Sequence, residues 1–125
     1  MSENTNKKDI IDAEEFAVAE KEAALSTDTY VHKLEKPFEF EGKTYEELTF
    51  DWGGLTGEDS LAIENEMQSQ GRVIITPEFS GHYLSCMAAR ACTAKVGTDF
   101  LSALPLREFN AIRSKARSFL MHTAL

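Results

Sequence analysis

The sequence predicts an α+β fold in which an antiparallel β-hairpin or small sheet is followed by three to four α-helices. Two patterns support this order. From Tyr30 to Phe50, aromatic and β-branched side chains alternate with charged ones, which is typical of half-exposed antiparallel strands. From Thr56 onward, apolar residues recur at intervals of three and four, which indicates amphipathic helices. A chain of 125 residues with 42% hydrophobic content has enough apolar side chains to close one core.

A segment of different composition precedes the predicted hairpin. Residues 1–28 are polar and acidic, and their best apolar stripe, formed by Ile11, Val18 and Leu25, is thin. We therefore predict a flexible acidic tail over residues 1–28, disordered or partly helical, and a single small α+β domain over residues 29–125. A fluctuating helix that becomes ordered on a partner is the functional alternative to plain disorder.

The predicted hairpin turns at Glu41-Gly42, where the glycine can adopt the positive φ of a tight two-residue loop. Tyr45 is out of phase with the apolar residues that follow it, so we expect a β-bulge or strand shift around Glu46-Glu47. Pro37 indicates that the first strand lies at an edge or is interrupted there. Leu48, Phe50 and Trp52 are expected to face the same way, as are Phe38 and Phe40 on the first strand.

Capping residues and glycines delimit the predicted helices. Thr56 precedes the first of them and has an acidic residue three positions further on. The second helix carries the broadest apolar band and is the candidate for the central core helix. The predicted helices are 57–70, 77–95 and 105–121, with an extended stretch over Arg72 to Ile75 and a short turn over 98–104.

The net charge of −8 is unevenly distributed. Residues 1–71 hold 18 acids and 6 bases, 6 − 18 = −12, whereas residues 72–125 hold 3 acids and 7 bases, 7 − 3 = +4. The acidic total argues against a protein whose main task is to neutralise nucleic-acid phosphates, because that affinity comes largely from Lys and Arg. The asymmetry is also compatible with a homo-oligomer in which acidic and basic parts of different copies meet.

No pattern of residues predicts catalysis, a metal ion or a cofactor. His32, His82 and His122 each lack a second ligand at the spacing of a metal-binding motif. The glycines of Asp51–Gly57 precede a helix but lack the lysine of a phosphate-binding loop, and Glu58-Asp59 would repel a phosphate. We therefore expect a protein that is not an enzyme and binds no cofactor.

Cys86 and Cys92 lie six positions apart in the predicted central helix, about 120° apart around its axis, and are poorly placed to pair with each other. We expect both to be buried small side chains in a reducing compartment. No apolar run approaches the roughly 20 residues of a membrane span, and the first residues lack the apolar segment of a secretory signal. These patterns favour a soluble, cytoplasmic protein without membrane contact.

Three stretches, occurring in this order, carry a resemblance to a known protein family. KPFEFEGKTYEELTFDW, residues 36–52, is similar to the opening hairpin of that family. GLTGEDSLAIENEM, residues 54–67, is similar to the helix that follows the hairpin. FLSALPLREFNAIRSKARSFL, residues 100–120, is similar to the closing segment and amphipathic helix. Together the three stretches resemble the tail assembly chaperones of tailed bacteriophages, and the resemblance covers about residues 30–121.

The resemblance implies a chaperone that binds the tape measure protein, a very long helical polypeptide, and keeps it soluble until tail tube subunits polymerise around it. It further implies a location in the host cell cytoplasm, absence from the mature virion, and partners that include the tail tube protein and a longer, frameshifted form of the chain itself. The main alternative is a structural head-tail completion or minor tail protein of the virion. An anti-host or nucleic-acid-binding regulator is a third.

Two regions are candidates for contact with such a partner, because a chaperone for apolar helical stripes needs an apolar surface bordered by charge. They are the basic C-terminal helix and the aromatic hairpin. The alternative is that their apolar residues pack together as the core, which makes the basic side chains the better candidates. The candidate residues are Phe109, Ile112, Arg113, Ala116, Arg117, Phe119 and Leu120 on the helix, and Phe38, Phe40, Tyr45 and Phe50 on the hairpin.

Overall fold

The computed structural model describes residues 12–73 and 76–124. It confirms the predicted α+β order, with a two-stranded antiparallel hairpin followed by helices. Residues 1–11 of the predicted tail, residues 74 and 75 of the predicted extended stretch, and residue 125 lie outside the described residues. The elements are α1 (Ala13–Ala24), β1 (Thr29–Phe40), β2 (Lys43–Asp51), α2 (Gly57–Ser69), α3 (Gly81–Ala91), α4 (Thr98–Ala103) and α5 (Leu106–His122).

The hairpin turns where the sequence predicted it. Glu41 and Gly42 both have positive φ, 49° and 81°, which matches the twist of a tight antiparallel hairpin. The side chains predicted to share one face of the second strand are buried, and the last of them lies in a 3₁₀ turn, Trp52–Gly54, that follows β2. These buried residues are Leu48, Phe50 and Trp52.

The register of the hairpin is irregular opposite Glu46, but the extra residues belong to β1. Lys33 pairs with Glu47 and Phe38 pairs with Tyr45, so four residues of β1 oppose one residue of β2. The predicted bulge or strand shift around Glu46-Glu47 is confirmed in position, and its extra residues lie on β1, where Pro37 indicated an edge or an interruption. The physical reason lies in β1, because Pro37 has no N–H to donate to the ladder and the Glu35 N–H donates to α5 instead.

The central helix is shorter than predicted. Residues Pro77–Phe79 form a 3₁₀ turn, and α3 begins only at Gly81, where the Ser80 hydroxyl accepts the Tyr83 N–H at 3.2 Å. At the other end Cys92 is extended and forms an isolated β-bridge with Phe50 of β2. The prediction of a helix over 77–95 was therefore wrong at both ends, since Ser80 caps the helix and pairing with β2 terminates it.

The ends of α2 follow the sequence signals. Asp59 accepts the Thr56 N–H at 2.8 Å, as expected of a capping box. Gly71, just beyond the helix, adopts a φ of 75°, a conformation that glycine takes without steric cost. The predicted short turn over 98–104 is the short helix α4.

One hydrophobic cluster joins the hairpin to α2, α3, α4 and α5. The Phe50 and Trp52 rings stack with centroids 5.2 Å apart, and the Phe119 ring of α5 lies 6.4 Å from Trp52. The largest side chains that are almost completely buried belong to this cluster, which makes it the main core. They are Trp52, Phe50, Phe100, Leu48, Ile63, Leu101 and Ile112.

Helix α1 lies within the segment predicted as a flexible tail, so the partly helical alternative applies to residues 13–24. It packs against α5, where Ala19 and Ala23 are buried with Met121 in a small cluster separate from the main core. The His122 Nδ1 donates to the Ala23 carbonyl at 3.0 Å. These contacts attach α1 to the α+β domain that the sequence predicted to begin at residue 29.

Phe100→Ala tests the main core. Three hairpin rings contact Phe100, so we expect the substitution to lower the free energy of unfolding by about 3–5 kcal/mol in denaturant titrations. Phe16→Ala is a control on a ring that is 41% exposed, and should cost at most about 1 kcal/mol. Equal losses in the two variants would contradict this packing.

Candidate partner-binding surfaces

A buried cluster of hydrogen bonds fixes α5 against β1. The His32 Nε2 lies 2.6 Å from Oε1 of Glu108, in the first turn of α5, and the two side chains are 9% and 8% exposed. The second oxygen, Oε2, accepts the Glu35 N–H at 2.8 Å. The Tyr30 hydroxyl lies 2.7 Å from His32 Nδ1. We call His32, Glu108, Tyr30 and the Glu35 N–H the strand–helix clamp, because they set where α5 begins relative to the irregular part of β1.

The clamp favours an ionised Glu108. The Glu35 N–H is the main cause that lowers the pKa of Glu108, and the His32 side chain lowers it further, against the opposing effect of burial. Burial, with a smaller contribution from the Glu108 charge, raises the pKa of Tyr30. The carboxylate thus has hydrogen-bond partners for both oxygens, which is what a buried charge requires.

Sequence reasoning missed the clamp, because it considered His32 only as a metal ligand and its partner lies 76 positions away. One signal was present. Glu108 is the single acid of the basic segment 106–122, and it stands four residues before Ile112 and eight before Ala116 on the apolar face. An acid on an apolar stripe indicates a buried polar contact.

Glu108→Gln tests the clamp through its pH dependence. Because the pKa of Glu108 is lower in the folded state, its stabilising contribution is complete above its ordinary value of 4.5 and is lost as pH falls through the folded value. We expect the free energy of unfolding of the wild-type chain to fall on acidification. The variant should be less stable at neutral pH, and its free energy of unfolding should change less as the pH falls. Denaturant titrations over a pH series measure both.

The control for this experiment is Glu46→Gln, which changes an exposed carboxyl on β2. It should follow the wild-type profile. If the free energy of unfolding falls equally with pH in the wild-type chain and in Glu108→Gln, the assigned role of the clamp is contradicted.

The candidate residues on α5 occupy two kinds of position. Ile112 and Ala116 are buried in the main core, at 2% and 0% exposure. The other apolar candidates are partly buried and pack at the edge of that core: Phe109, Phe119 and Leu120. Among the apolar candidates on α5, Phe109, Phe119 and Leu120 are therefore the ones that retain surface for a partner to contact.

The basic candidates on α5 contact aromatic rings of the same chain. The Arg113 guanidinium lies 5.3 Å from the centroid of Phe109 and also donates to Asn110 at 3.2 Å. The Arg117 guanidinium lies 5.3 Å from the centroid of Phe79, and its buried Nε makes no hydrogen bond within the described residues. These contacts are cation–π interactions that hold the charges close to the protein surface.

The hairpin candidates surround a residue that the sequence did not single out. Phe38, Phe40 and Tyr45 place their rings edge-on to Phe100 of α4, with centroids 5.4, 5.1 and 4.8 Å away. Phe50 is completely buried. The three outer rings are half-buried, so the aromatic hairpin is largely engaged within the fold.

An opening with mainly apolar walls lies where α2, α3 and α5 meet. It has a volume of about 270 Å³, and we call it the α2–α5 cleft. Two sequence candidates, Phe119 and Leu120, line it. Sequence reasoning missed the remaining walls, because helical periodicity marks buried faces but does not show where three such faces leave a gap. The other lining residues are Leu55, Thr56, Gly57, Asp59, Ser60, Ile63, Tyr83, Met87 and Thr123.

Polar groups border the apolar surface of the cleft. The Ser60 and Tyr83 hydroxyls lie 2.7 Å apart, so this tyrosine has a hydrogen-bond partner. Asp59 pairs with Arg90 at 2.8 Å, and hydrogen bonds from the Thr56 backbone and from Arg90 lower the pKa of Asp59. An apolar surface with a polar border suits side chains of an amphipathic helix. Its volume is below that of most small-molecule sites.

A second opening, of about 660 Å³, has mixed polar and apolar walls that include both cysteines. Burial is the main cause that raises the pKa of Cys86 and of Cys92. Thiols in this state are poor nucleophiles at neutral pH. Both cysteines are buried and free, as predicted, although Cys92 lies just beyond α3 rather than inside a helix.

Over residues 12–73 and 76–124, no group of three or more His, Cys, Asp or Glu side chains is placed to hold a metal ion. Among the helices in the same ranges, none is both long enough and apolar enough to cross a bilayer. Comparison with protein-family models, curated proteins and solved structures finds no match to this chain. The resemblance to phage tail assembly chaperones therefore rests on the three sequence stretches.

Proposed function

We propose that this chain is a non-enzymatic tail assembly chaperone that binds the phage tape measure protein and keeps it soluble during tail morphogenesis. The observation that carries the proposal is the α2–α5 cleft, an apolar opening formed by three helices. The resemblance of residues 36–52, 54–67 and 100–120 suggests the client, and the cleft suggests where it binds.

The shape of the cleft fits side chains from an amphipathic helix. Such a helix presents apolar residues at intervals of three and four along one face. Phe119 and Leu120 from α5, both partly buried, offer apolar contact to residues of that kind. A long helical client with exposed apolar stripes would aggregate through these same residues, so covering them prevents self-association.

The walls of the cleft differ in charge, since α5 carries four bases and one acid, a charge of +3. Helix α2, one wall of the cleft, carries four acids and no base, a charge of −4. The net charge of −8 of the whole chain also supports the solubility of a complex, because like-charged complexes repel one another.

The proposal includes a location in the host cell cytoplasm and absence from the mature virion. The tail tube protein and a longer, frameshifted form of the chain are further proposed partners. The alternative is a structural head-tail completion or minor tail protein. Mass spectrometry of purified virions separates the two, since a chaperone is absent from the particle and a structural component is present in stoichiometric amount.

Gly57→Trp tests the role of the cleft. Gly57 lines the cleft and opens α2, and a Cβ added there meets nothing within 4 Å, so a large side chain fits the backbone and obstructs the opening. We expect co-expression with the tape measure protein of the same phage to leave most of that client insoluble with Gly57→Trp, and to keep it soluble with the wild-type chain.

Gly57→Ala is the matched control, because it has the same backbone effect without filling the cleft. It should rescue the client as the wild-type chain does, and size-exclusion chromatography should show the same complex. Equal rescue by Gly57→Trp and Gly57→Ala would exclude the cleft as the binding site. Failure of the wild-type chain to rescue the client would overturn the proposed function.

A further inference from the structure

We propose that α1 covers a helix-docking surface of α5, and that an acidic helix supplied by a binding partner takes its place. The surface is formed by Met121 and His122 of α5 and by Phe79 of the 3₁₀ turn before α3, and we call it the covered face. It differs from the α2–α5 cleft, which uses Phe119 and Leu120 of the same helix. The inference does not depend on the proposed function.

The contact between α1 and the covered face buries small side chains of α1. The completely buried side chains that α1 contributes are two alanines, Ala19 and Ala23. Phe16 adds a ring contact with Phe79, at 6.4 Å between centroids, and stays 41% exposed. These residues form a cluster apart from the main core, so α1 can leave α5 without opening that core.

The charges of the two helices are complementary but not paired. Helix α1 has four acids and one lysine, a charge of −3, whereas α5 has four bases and one acid, a charge of +3. Of the ion pairs within residues 12–73 and 76–124, none joins α1 to α5. Arg117, beside Phe79, has a buried Nε without a hydrogen bond in that part of the chain.

Helix α1 shows what kind of partner helix fits the covered face. Small side chains four residues apart, as at Ala19 and Ala23, let two helices approach closely. Acidic residues on either side of that stripe suit the positive charge of α5. A partner helix with small residues at this spacing, and with acids long enough to reach Arg117 and Lys115, would make the contacts of α1 and add ion pairs.

The experiment opens the covered face in the full chain and measures binding of a defined probe. The probe is a fluorescent peptide of residues 12–25, capped at both ends. The double variant Ala19→Arg/Ala23→Arg places bulky cations at two buried positions of α1 against a basic helix, so α1 should undock. Ala17→Arg/Ala24→Arg makes the same change of composition and charge at exposed positions and is the matched control.

We expect the opened variant to bind the probe at least about tenfold more tightly than the wild-type chain does, because α1 no longer competes. The control variant should bind as weakly as the wild-type chain. Hydrogen exchange should show faster exchange of α1 amides, with α3 still protected. A probe peptide with Glu14, Glu15, Glu20 and Glu22 changed to Gln should bind more weakly than the unchanged probe.

Three results would overturn the proposal. In the first, the wild-type chain, the opened variant and the control variant bind the probe equally, or none of them binds it. In the second, the opened variant loses protection in α3, which would mean that α1 belongs to the main core. In the third, the wild-type chain dimerises and the opened variant does not, which would assign the covered face to a second copy of this chain rather than to a different partner.

Discussion

The constraint on which this structure depends is that a two-stranded hairpin cannot bury its own apolar face. Leu48, Phe50 and Trp52 line up on one side of β2 and its following turn, and each is almost completely buried. Helices α3 and α5 supply that cover, with Phe119 of α5 stacked on Trp52. The positions of the helices, and of the openings between them, follow from the need to cover this face.

Helix α5 connects the parts of the molecule, because each of its sides has a different neighbour. One side closes the main core through Ile112 and Ala116, and a second carries α1 against Met121. A third contributes Phe119 and Leu120 to the α2–α5 cleft. The strand–helix clamp fixes the start of α5 against β1, so both proposed surfaces depend on the hydrogen bonds of Glu108 for their position.

The order of elements could be predicted from sequence because alternation, helical spacing and capping are local signals. The turn at Glu41-Gly42 and the capping box of α2 are examples. The features that were missed depend on contacts between distant residues, such as the 76 positions between His32 and Glu108. The same limit applies to the candidate surfaces, since only the packed structure shows that Phe119 borders a cleft while Ile112, on the same apolar stripe, is buried.

The central claim is that an amphipathic client helix enters the α2–α5 cleft. Methyl NMR spectra of the chain, recorded while tape measure fragments are added, test this claim most directly. The largest shift changes should occur at methyl groups that line the cleft, those of Leu55, Ile63, Met87 and Leu120. Shift changes confined to residues outside the cleft, or none at saturating fragment, would contradict it.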